Sequence, residues 1–327
     1  MNTLKLLAAG LLVLTLASAA GADEFQVSDA NVNYEQPPAM TQDVYAAGDN
    51  PGWSLYSGAE ATYLALNAHN LETDSLTHSD YLHFGFGYAP RVWLGAQNER
   101  GRGVQLRYWQ YQTSAHGEGF VDTVAGGGAI PNAYASQETN TVQLYTIDAE
   151  GTRTRQSDDW WIQGTFGARH GQFQFEDLRG AVLAIPPGPS STISQTRTYH
   201  QEFNGTGLTG AIQFSRRLAS PEWELFGSFR GSLMWGTQRN FEHRNDLFGG
   251  NFYGNNYLTD YDQTSISILE TQIGLQWTHP LACCHGEVFV RTAFEYQFWD
   301  MVTIGAQVDP SQDLNLIGGA FAVGLRR

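Results

Sequence analysis

Charged side chains that fall on alternate positions of otherwise apolar segments are the first feature of this sequence with a chemical consequence. Between Trp223 and Trp235, apolar or small residues alternate with a second set that contains Arg230, a period typical of a strand with two different faces. Applied along the chain, this alternation gives eight candidate charges on one side of the strands: Glu60, Arg107, Arg169, Arg230, Glu270, Glu287, Arg291 and Glu295. On a channel wall, such charges create a field that orders water and ions. Packed against each other, they would plug a narrow lumen instead.

A second cluster carries ligands that soft metals prefer. Two imidazoles and two thiols fall within seven residues, at His279, Cys283, Cys284 and His285. Pro280 and the adjacency of the cysteines make a tetrahedral site from this loop alone awkward, so we expect neither a metal nor another cofactor. Neighbouring cysteines rarely meet disulfide geometry with each other. Free thiols, or a disulfide to a partner chain through Cys283 or Cys284, are the alternatives.

Acidic residues and histidines near predicted loops and strand ends raise the question of protease chemistry. The candidates are Asp158, Asp159, His200, Glu242, His243 and Asp246. The predicted topology puts Asp159 and His243 at opposite ends of the strands, too far apart to cooperate. No Gly-x-Ser-x-Gly or His-Glu-x-x-His motif is present, and the single lysine, Lys5, lies in the leader. We therefore expect no enzyme.

The leader and the composition restrict where the chain acts. Residues 1–22 have the charge, the short apolar core and the small residues of a cleaved signal peptide, and residues 23–52 read as an irregular periplasmic lead-in or plug. No later run of about eighteen apolar residues occurs, which excludes helical membrane spans. Without Lys5 the formal charge of −15 becomes −16, which argues against nucleic acid as a partner.

Ten extended segments follow the lead-in. They cover residues 53–67, 82–97, 102–114, 138–150, 159–177, 198–218, 222–243, 262–279, 286–303 and 312–327. Long and short connections alternate, as in an antiparallel transmembrane β-barrel with long outer loops and short periplasmic turns, and unlike a soluble sandwich. We predict an all-β barrel over 53–327 with ten strands, twelve being the alternative. The parity slips at Phe173 and Phe175, which predicts a bulge after Gly171.

Aromatic residues on the apolar faces are candidates for membrane girdles, where rings contact outer-membrane lipid. They are Trp160, Trp223, Trp235, Trp277, Tyr296 and Phe298.

Short glycine- and aromatic-rich motifs support a family resemblance. They are Phe203-Asn204-Gly205-Thr206-Gly207-Leu208-Thr209-Gly210, Leu225-Phe226-Gly227-Ser228 and Gly231-Ser232-Leu233-Met234-Trp235-Gly236, with weaker echoes at Arg107-Tyr108-Trp109 and Ile147-Asp148-Ala149-Glu150. The chain resembles the Legionella-type major outer-membrane protein family, which is widespread in planctomycete-like bacteria, and the resemblance implies a pore-forming outer-membrane barrel. The end, Leu325-Arg326-Arg327, departs from the aromatic terminus that the barrel insertion machinery commonly recognises.

The expected function is therefore porin-like passage of small solutes or ions, or a structural envelope role, in the outer membrane of a Gram-negative-type bacterium. The alternatives are an outer-membrane barrel enzyme of the protease type and a secreted, soluble, carbohydrate-binding β-sandwich.

Overall fold

The computed structural model describes residues 52–68, 84–119, 134–157, 159–184, 192–218, 222–248, 251–281, 286–301 and 313–326. The predicted signal peptide 1–22 and nearly all of the predicted lead-in 23–52 lie outside these residues. Among the residues so described, no helix is long and apolar enough to cross a membrane.

Ten β-strands make up the fold. They are β1 (Trp53–Ala68), β2 (Phe86–Asn98), β3 (Arg102–Gly119), β4 (Tyr134–Gln156), β5 (Trp160–Ala184), β6 (Thr192–Arg217), β7 (Trp223–Phe248), β8 (Asn251–Leu281), β9 (Gly286–Met301) and β10 (Leu314–Arg326). Each strand pairs antiparallel with its neighbours in sequence, and β1 pairs with β10 to close a barrel. The all-β ten-stranded barrel predicted from the sequence is confirmed, and the soluble β-sandwich is wrong.

The strands are tilted by an amount that their registers fix. Paired residues traced once around the barrel, starting at Ser54 on β1, pass through Gln97, Arg230 and Glu270 and return to β1 at Leu66. Position 54 to position 66 is a displacement of twelve residues. With a rise of about 3.3 Å per residue and a strand spacing of about 4.8 Å, this stagger gives a tilt of roughly 40°.

Alternating side chains give the barrel two different surfaces. On β9, Ala293 and Glu295 are buried inside while Phe294 between them is half exposed outside. On β7 the outward apolar residues run from Trp223 to Trp235. Twelve steps of about 3.3 Å, tilted by roughly 40°, make this outward belt about 30 Å tall.

The strands differ in length in a way that shapes one end of the barrel. β1, β2, β9 and β10 have 13 to 16 residues, whereas β4 to β8 have 23 to 31. The end of the barrel where the short connections lie, such as the one between Asn98 and Arg102, is called the short-turn end. The registers align the strands at this end, so the extra length of β4–β8 projects from the other end. We call this projection the upper wall; it rises roughly 30 Å above the ends of β1, β2, β9 and β10.

The predicted bulge after Gly171 is wrong. The pairing of β5 with β4 and with β6 continues without a shift through Gly171, and Phe173 and Phe175 are buried inside the barrel. Both residues keep the inward parity of Arg169, because the interior is apolar at their level. The register shift lies instead between β7 and β8, at Gly236 and Gln238.

The predicted outer loop 244–261 is also wrong. β7 continues to Phe248 and β8 begins at Asn251, so the two strands pair along most of that segment. Asn and Gly are poor strand formers, but the preference is weak and hydrogen bonding to a neighbouring strand overrides it.

Candidate functional site

Nine buried charged side chains cross the lumen in one layer, which we call the charged layer. Its members are Glu60, Arg91, Arg107, Asp148, Glu150, Arg169, Arg230, Glu270 and Glu295. Eight of the ten strands contribute, because each of these residues falls on the inward parity of its strand. The layer is therefore a product of barrel closure rather than of any local motif.

Asp148 on β4 accepts hydrogen bonds from three arginines. Arg169 binds it through two nitrogens, Nε at 2.6 Å and Nη2 at 2.8 Å. Arg107 Nη1 lies 3.1 Å and Arg230 Nη1 lies 3.4 Å from Asp148 Oδ2. Arg230 also binds both oxygens of Glu150, with Nη2 at 3.2 Å from Oε2. Bidentate pairs of this kind fix the geometry of both partners.

Glu270 on β8 joins this half of the layer to the other. Arg107 and Arg169 each place a nitrogen 2.7 Å from its carboxylate, and Arg91 approaches to 3.7 Å. Arg91 in turn pairs with Glu295 at 2.6 Å and contacts Glu60. The nine residues thus form one continuous network of ion pairs.

The charged layer contains nearly equal numbers of negative and positive groups. Five carboxylates face four guanidinium groups, and every one of the nine makes an ion pair. Burying a charge is expensive unless it is paired, so the groups hold one another in place. Paired and buried charges therefore occupy the lumen at this level.

A second layer of buried side chains lies on the long-loop side of the charged layer, and we call it the apolar layer. Its centre is a stack of rings: Trp109 lies 5.8 Å from Trp299 and 6.3 Å from Tyr111, centroid to centroid. Phe173, Phe203 and several aliphatic residues surround the stack. Side chains therefore occupy the cross-section of the barrel at two successive levels.

On the short-turn side of the charged layer there is a cavity of about 90 Å³, which we call the lower cavity. Glu60 and Arg230 of the charged layer form part of its lining, and Ser54 and Arg326 line it near the strand ends. Arg291 also lines it; the Arg291 guanidinium lies 3.5 Å from the centre of the Phe226 ring.

The structure places the eight predicted inward charges at three levels. Six of them belong to the charged layer: Glu60, Arg107, Arg169, Arg230, Glu270 and Glu295. Arg291 lies one level lower, where it donates to Gln276 Oε1. Glu287 lies at the short-turn end, where its side chain is 46% exposed and 3.9 Å from Arg326.

Sequence reasoning missed three members of the charged layer, Arg91, Asp148 and Glu150. A signal was present for each. Asp148 and Glu150 share the parity of the buried Val142 and Leu144 on β4, and Arg91 alternates with outward Val92 on β2. Testing the alternation on those two strands would have found them.

The predicted girdle residues all point outward and fall at two levels. Trp160, Trp223 and Trp277 lie at the short-turn ends of their strands. Trp235, Tyr296 and Phe298 lie toward the opposite end of the outward belt. In membrane barrels in general, aromatic rings border the apolar band at two levels.

The predicted weak metal cluster lies mostly outside the described residues, since Cys283, Cys284 and His285 are not among them. His279 is described: it stacks on Trp277 at 5.3 Å and lies 3.7 Å from Glu222. Within the described part of the chain, no group of three or more histidine, cysteine or acidic side chains is arranged to hold a metal ion.

Glu242, His243 and Asp159 are three of the candidates for protease chemistry; Asp158 lies outside the described residues. Glu242 faces inward and pairs with Arg197 at 2.9 Å, whereas His243 faces outward and stacks on Phe241. Asp159 lies at the opposite end of the barrel, just before β5 begins.

Comparisons with known proteins give likenesses of fold only. No family model matches the chain, and no curated protein matches it. Among solved structures it is similar to the outer membrane protease OmpT from Escherichia coli, with 10% identity, 84% of this chain and 94% of that chain covered and a TM-score of 0.37. It is also similar to a major outer membrane protein from Thermus thermophilus, with 11% identity, 84% and 99% covered and a TM-score of 0.32.

A third likeness is to Neisserial surface protein A, with 12% identity, 84% of this chain and 97% of that chain covered and a TM-score of 0.28. Identities and scores this low carry no argument about activity. The resemblance to the Legionella-type family is not confirmed.

Proposed function

We propose that this chain is an outer-membrane β-barrel of a Gram-negative-type bacterium whose lumen is closed and whose role is structural or surface-exposed. The observation that carries the proposal is the filling of the lumen at two successive levels. The charged layer is a network of paired buried charges, and the apolar layer is built around the stacked rings of Trp109, Tyr111 and Trp299. A water-filled path requires neither paired charges nor stacked rings across the lumen.

The outward surface supports a place in a membrane. Apolar side chains such as Leu94, Phe166 and Phe321 are more than half exposed on the outside of the barrel. A soluble protein rarely exposes so continuous an apolar surface. A belt of about 30 Å, bordered by aromatic rings, suits the hydrocarbon thickness of a bilayer. Under the proposal the partners are outer-membrane lipid and the barrel insertion machinery.

Porin-like passage of small solutes or ions is the rival function. One observation favours it: the lower cavity is lined by charged and polar groups and reaches from the short-turn end to the charged layer. A pore would need the side chains of both layers to move aside.

Conductance across a planar bilayer separates the two functions. We expect purified protein, shown to be folded by its heat-modifiable gel mobility, to insert without producing channel steps. The expectation follows from the two filled layers. Reproducible steps of uniform size from folded protein would contradict the closed lumen. Their ion selectivity should then change in Arg230→Ala, since that guanidinium would line the path.

A further inference from the structure

We propose that four outward arginines at the short-turn end of the barrel bind the headgroup of an anionic phospholipid. These residues, which we call the arginine patch, are Arg102 on β3, Arg153 and Arg155 on β4, and Arg216 on β6. All four are exposed, and each lies within three residues of the short-turn end of its strand. The inference rests on the proposed placement of the outward belt in a membrane, and it adds the class of lipid that the barrel selects.

Strand parity puts the arginine patch on the outer surface. Thr152 and Ser215 are buried inside the barrel, so Arg153 and Arg216 beside them face outward. Arg102 is paired directly with Arg153, and residues directly opposite each other share a face of the sheet. Three strand spacings separate β3 from β6, so the patch is about 14 Å wide.

The pairing of Arg102 with Arg153 is unfavourable unless an anion joins them. Like charges directly opposite each other on antiparallel strands are destabilising. No described carboxylate forms an ion pair with any arginine of the patch. Glu99 and Asp159 are exposed, but they lie in the connections beyond the strand ends. In a chain with a formal net charge of −15, four neighbouring cations of this kind indicate a site for a negatively charged ligand.

The arginine patch occupies one side of the barrel only. Near the short-turn ends of strands on the other side, the outward positions are apolar or aromatic, as at Trp53 on β1, Trp223 on β7 and Leu325 on β10. Aromatic rings are sufficient to anchor a barrel at the membrane surface. The local charge therefore indicates recognition of a ligand rather than general anchoring.

The surroundings of the patch favour a lipid over a soluble anion. Arg216 is paired with Trp160 on β5, and its guanidinium lies 5.3 Å from the centre of that ring. Toward the middle of the barrel the same outer face is apolar, since Val104, Ile162 and Phe166 are exposed there. A phosphate at the guanidinium groups, with hydrocarbon chains along these apolar side chains, would satisfy both surfaces.

A headgroup with a net negative charge fits the patch better than a zwitterionic one. Phosphatidylcholine and phosphatidylethanolamine carry a cationic nitrogen close to the phosphate, and four guanidinium groups repel it. Phosphatidylglycerol has the phosphate and two hydroxyls without a positive charge. Clustered arginines at a membrane surface favour anionic lipids for this reason.

Native mass spectrometry of the folded full-length protein tests the selection. The protein is released from detergent micelles that contain equal amounts of phosphatidylglycerol and phosphatidylcholine. We expect it to retain phosphatidylglycerol at least about tenfold more than phosphatidylcholine. Arg102→Gln combined with Arg153→Gln should remove most of that preference. Arg239→Gln combined with Arg244→Gln, which removes two exposed arginines from the upper wall, should keep the preference of the wild type.

Thermal unfolding, followed by heat-modifiable gel mobility, gives a second readout with opposite signs in the two lipids. In phosphatidylcholine micelles, Arg153→Gln should unfold at the same temperature as the wild type or higher, because a like-charge repulsion is removed. Phosphatidylglycerol should raise the unfolding temperature of the wild type more than that of the variant, because a bound ligand stabilises the folded state. Glycerol phosphate, the soluble headgroup, should raise neither.

Three results would overturn the proposal. They are equal retention of the two lipids by the wild type, a preference that survives the double substitution at Arg102 and Arg153, and stabilisation by glycerol phosphate equal to that by phosphatidylglycerol. Insertion into vesicles of phosphatidylcholine alone separates this inference from the membrane placement. Insertion without lipid selection would contradict the arginine patch alone, whereas failure of the folded protein to insert would contradict both.

Discussion

Asp148 is the residue on which the charged layer converges. It is completely buried and accepts hydrogen bonds from Arg107, Arg169 and Arg230. A buried carboxylate with three guanidinium partners is worth little compared with an apolar side chain of the same size, but its removal breaks a buried ion pair of each of those partners. The residue therefore makes the fold sensitive to loss of a single charge.

Asp148→Asn should destabilise the folded barrel by about 3–5 kcal/mol, because the amide keeps the shape but breaks the buried ion pairs with three arginines at once. Urea unfolding followed by heat-modifiable gel mobility measures the change. Asp159→Asn is the matched control, since Asp159 is exposed and should shift stability by no more than about 0.5 kcal/mol. Equal effects of the two substitutions would contradict the assigned role of Asp148.

The composition of the charged layer was only partly predictable at the residue scale. Inward parity identified Arg169 and Arg230 without knowledge of the fold. The partners could not be assigned, because Glu150 lies 80 residues from Arg230 along the chain and meets it only across the closed lumen. The alternation in the sequence indicates which face of the strand a side chain occupies. Its ion-pair partners depend on which strands lie opposite one another in the closed barrel.

At the scale of the strands, close backbone approach between β6 and β7 depends on a glycine. A Cβ atom added to Gly207 would lie only 1.9 Å from the carbonyl oxygen of Leu233 on the neighbouring strand. The two strands would have to separate to admit any side chain there. Gly231, on the outer face of β7, has open space in the same position.

Gly207→Ala should therefore lower the free energy of unfolding by about 1–3 kcal/mol, the usual cost of overpacking. Gly231→Ala, the matched control, should be neutral or stabilising by up to about 1 kcal/mol, since alanine loses less conformational entropy on folding. Chemical denaturation of both variants checks the difference. A Gly207→Ala protein as stable as Gly231→Ala would show that the strands separate without cost.

The outward belt makes a second prediction for β7. Phe229 faces outward near the middle of the belt, so Phe229→Arg should destabilise the protein in lipid vesicles by about 2–4 kcal/mol. Phe241 faces the same side twelve residues further along, on the upper wall, and Phe241→Arg should cost less than about 1 kcal/mol. Reversible denaturation from vesicles measures both. Similar costs at the two positions would place the bilayer elsewhere on the barrel.

Strand positions were predictable from the sequence, but the upper ends of β5 to β8 were not. Prediction ended β7 at residue 243, five residues before Phe248, because Asn and Gly dominate the segment that follows. The structure extends the strand because β8 continues beside it and completes its hydrogen bonds. A period of two is visible in a sequence only where the two faces of a strand differ in polarity. Both faces of the upper wall carry polar residues, so the period is not visible there.

For the whole molecule, the unequal strands make the two ends of the barrel different. Short connections join the strands at one end of the barrel. At the other end, the upper wall of β4–β8 projects on one side only. With the outward belt in the membrane, the upper wall lies entirely outside the hydrocarbon region. Such a projection suits exposure at the cell surface.

An epitope inserted between Gly249 and Gly250, where β7 meets β8, should be accessible to antibody on intact cells of a Gram-negative expression host. The same epitope inserted in the turn between Asn98 and Arg102 should be detected only after the outer membrane is permeabilised. Fluorescence of labelled cells measures both. The reverse pattern would show that the barrel has the opposite orientation.

The charged layer also bears on how the barrel is assembled. Arg91 on β2 pairs with Glu295 on β9, although the two lie 204 residues apart in sequence. In a sheet that has not yet closed, Glu60 on β1 keeps Arg91 as its neighbour on β2, but Glu295 on β9 lacks this arginine and must stay hydrated. A sheet that closes one residue out of register turns inward charges toward lipid and leaves others without partners. The ion pairs therefore penalise misassembled barrels, and the charges that occupy the lumen also favour correct closure of the barrel.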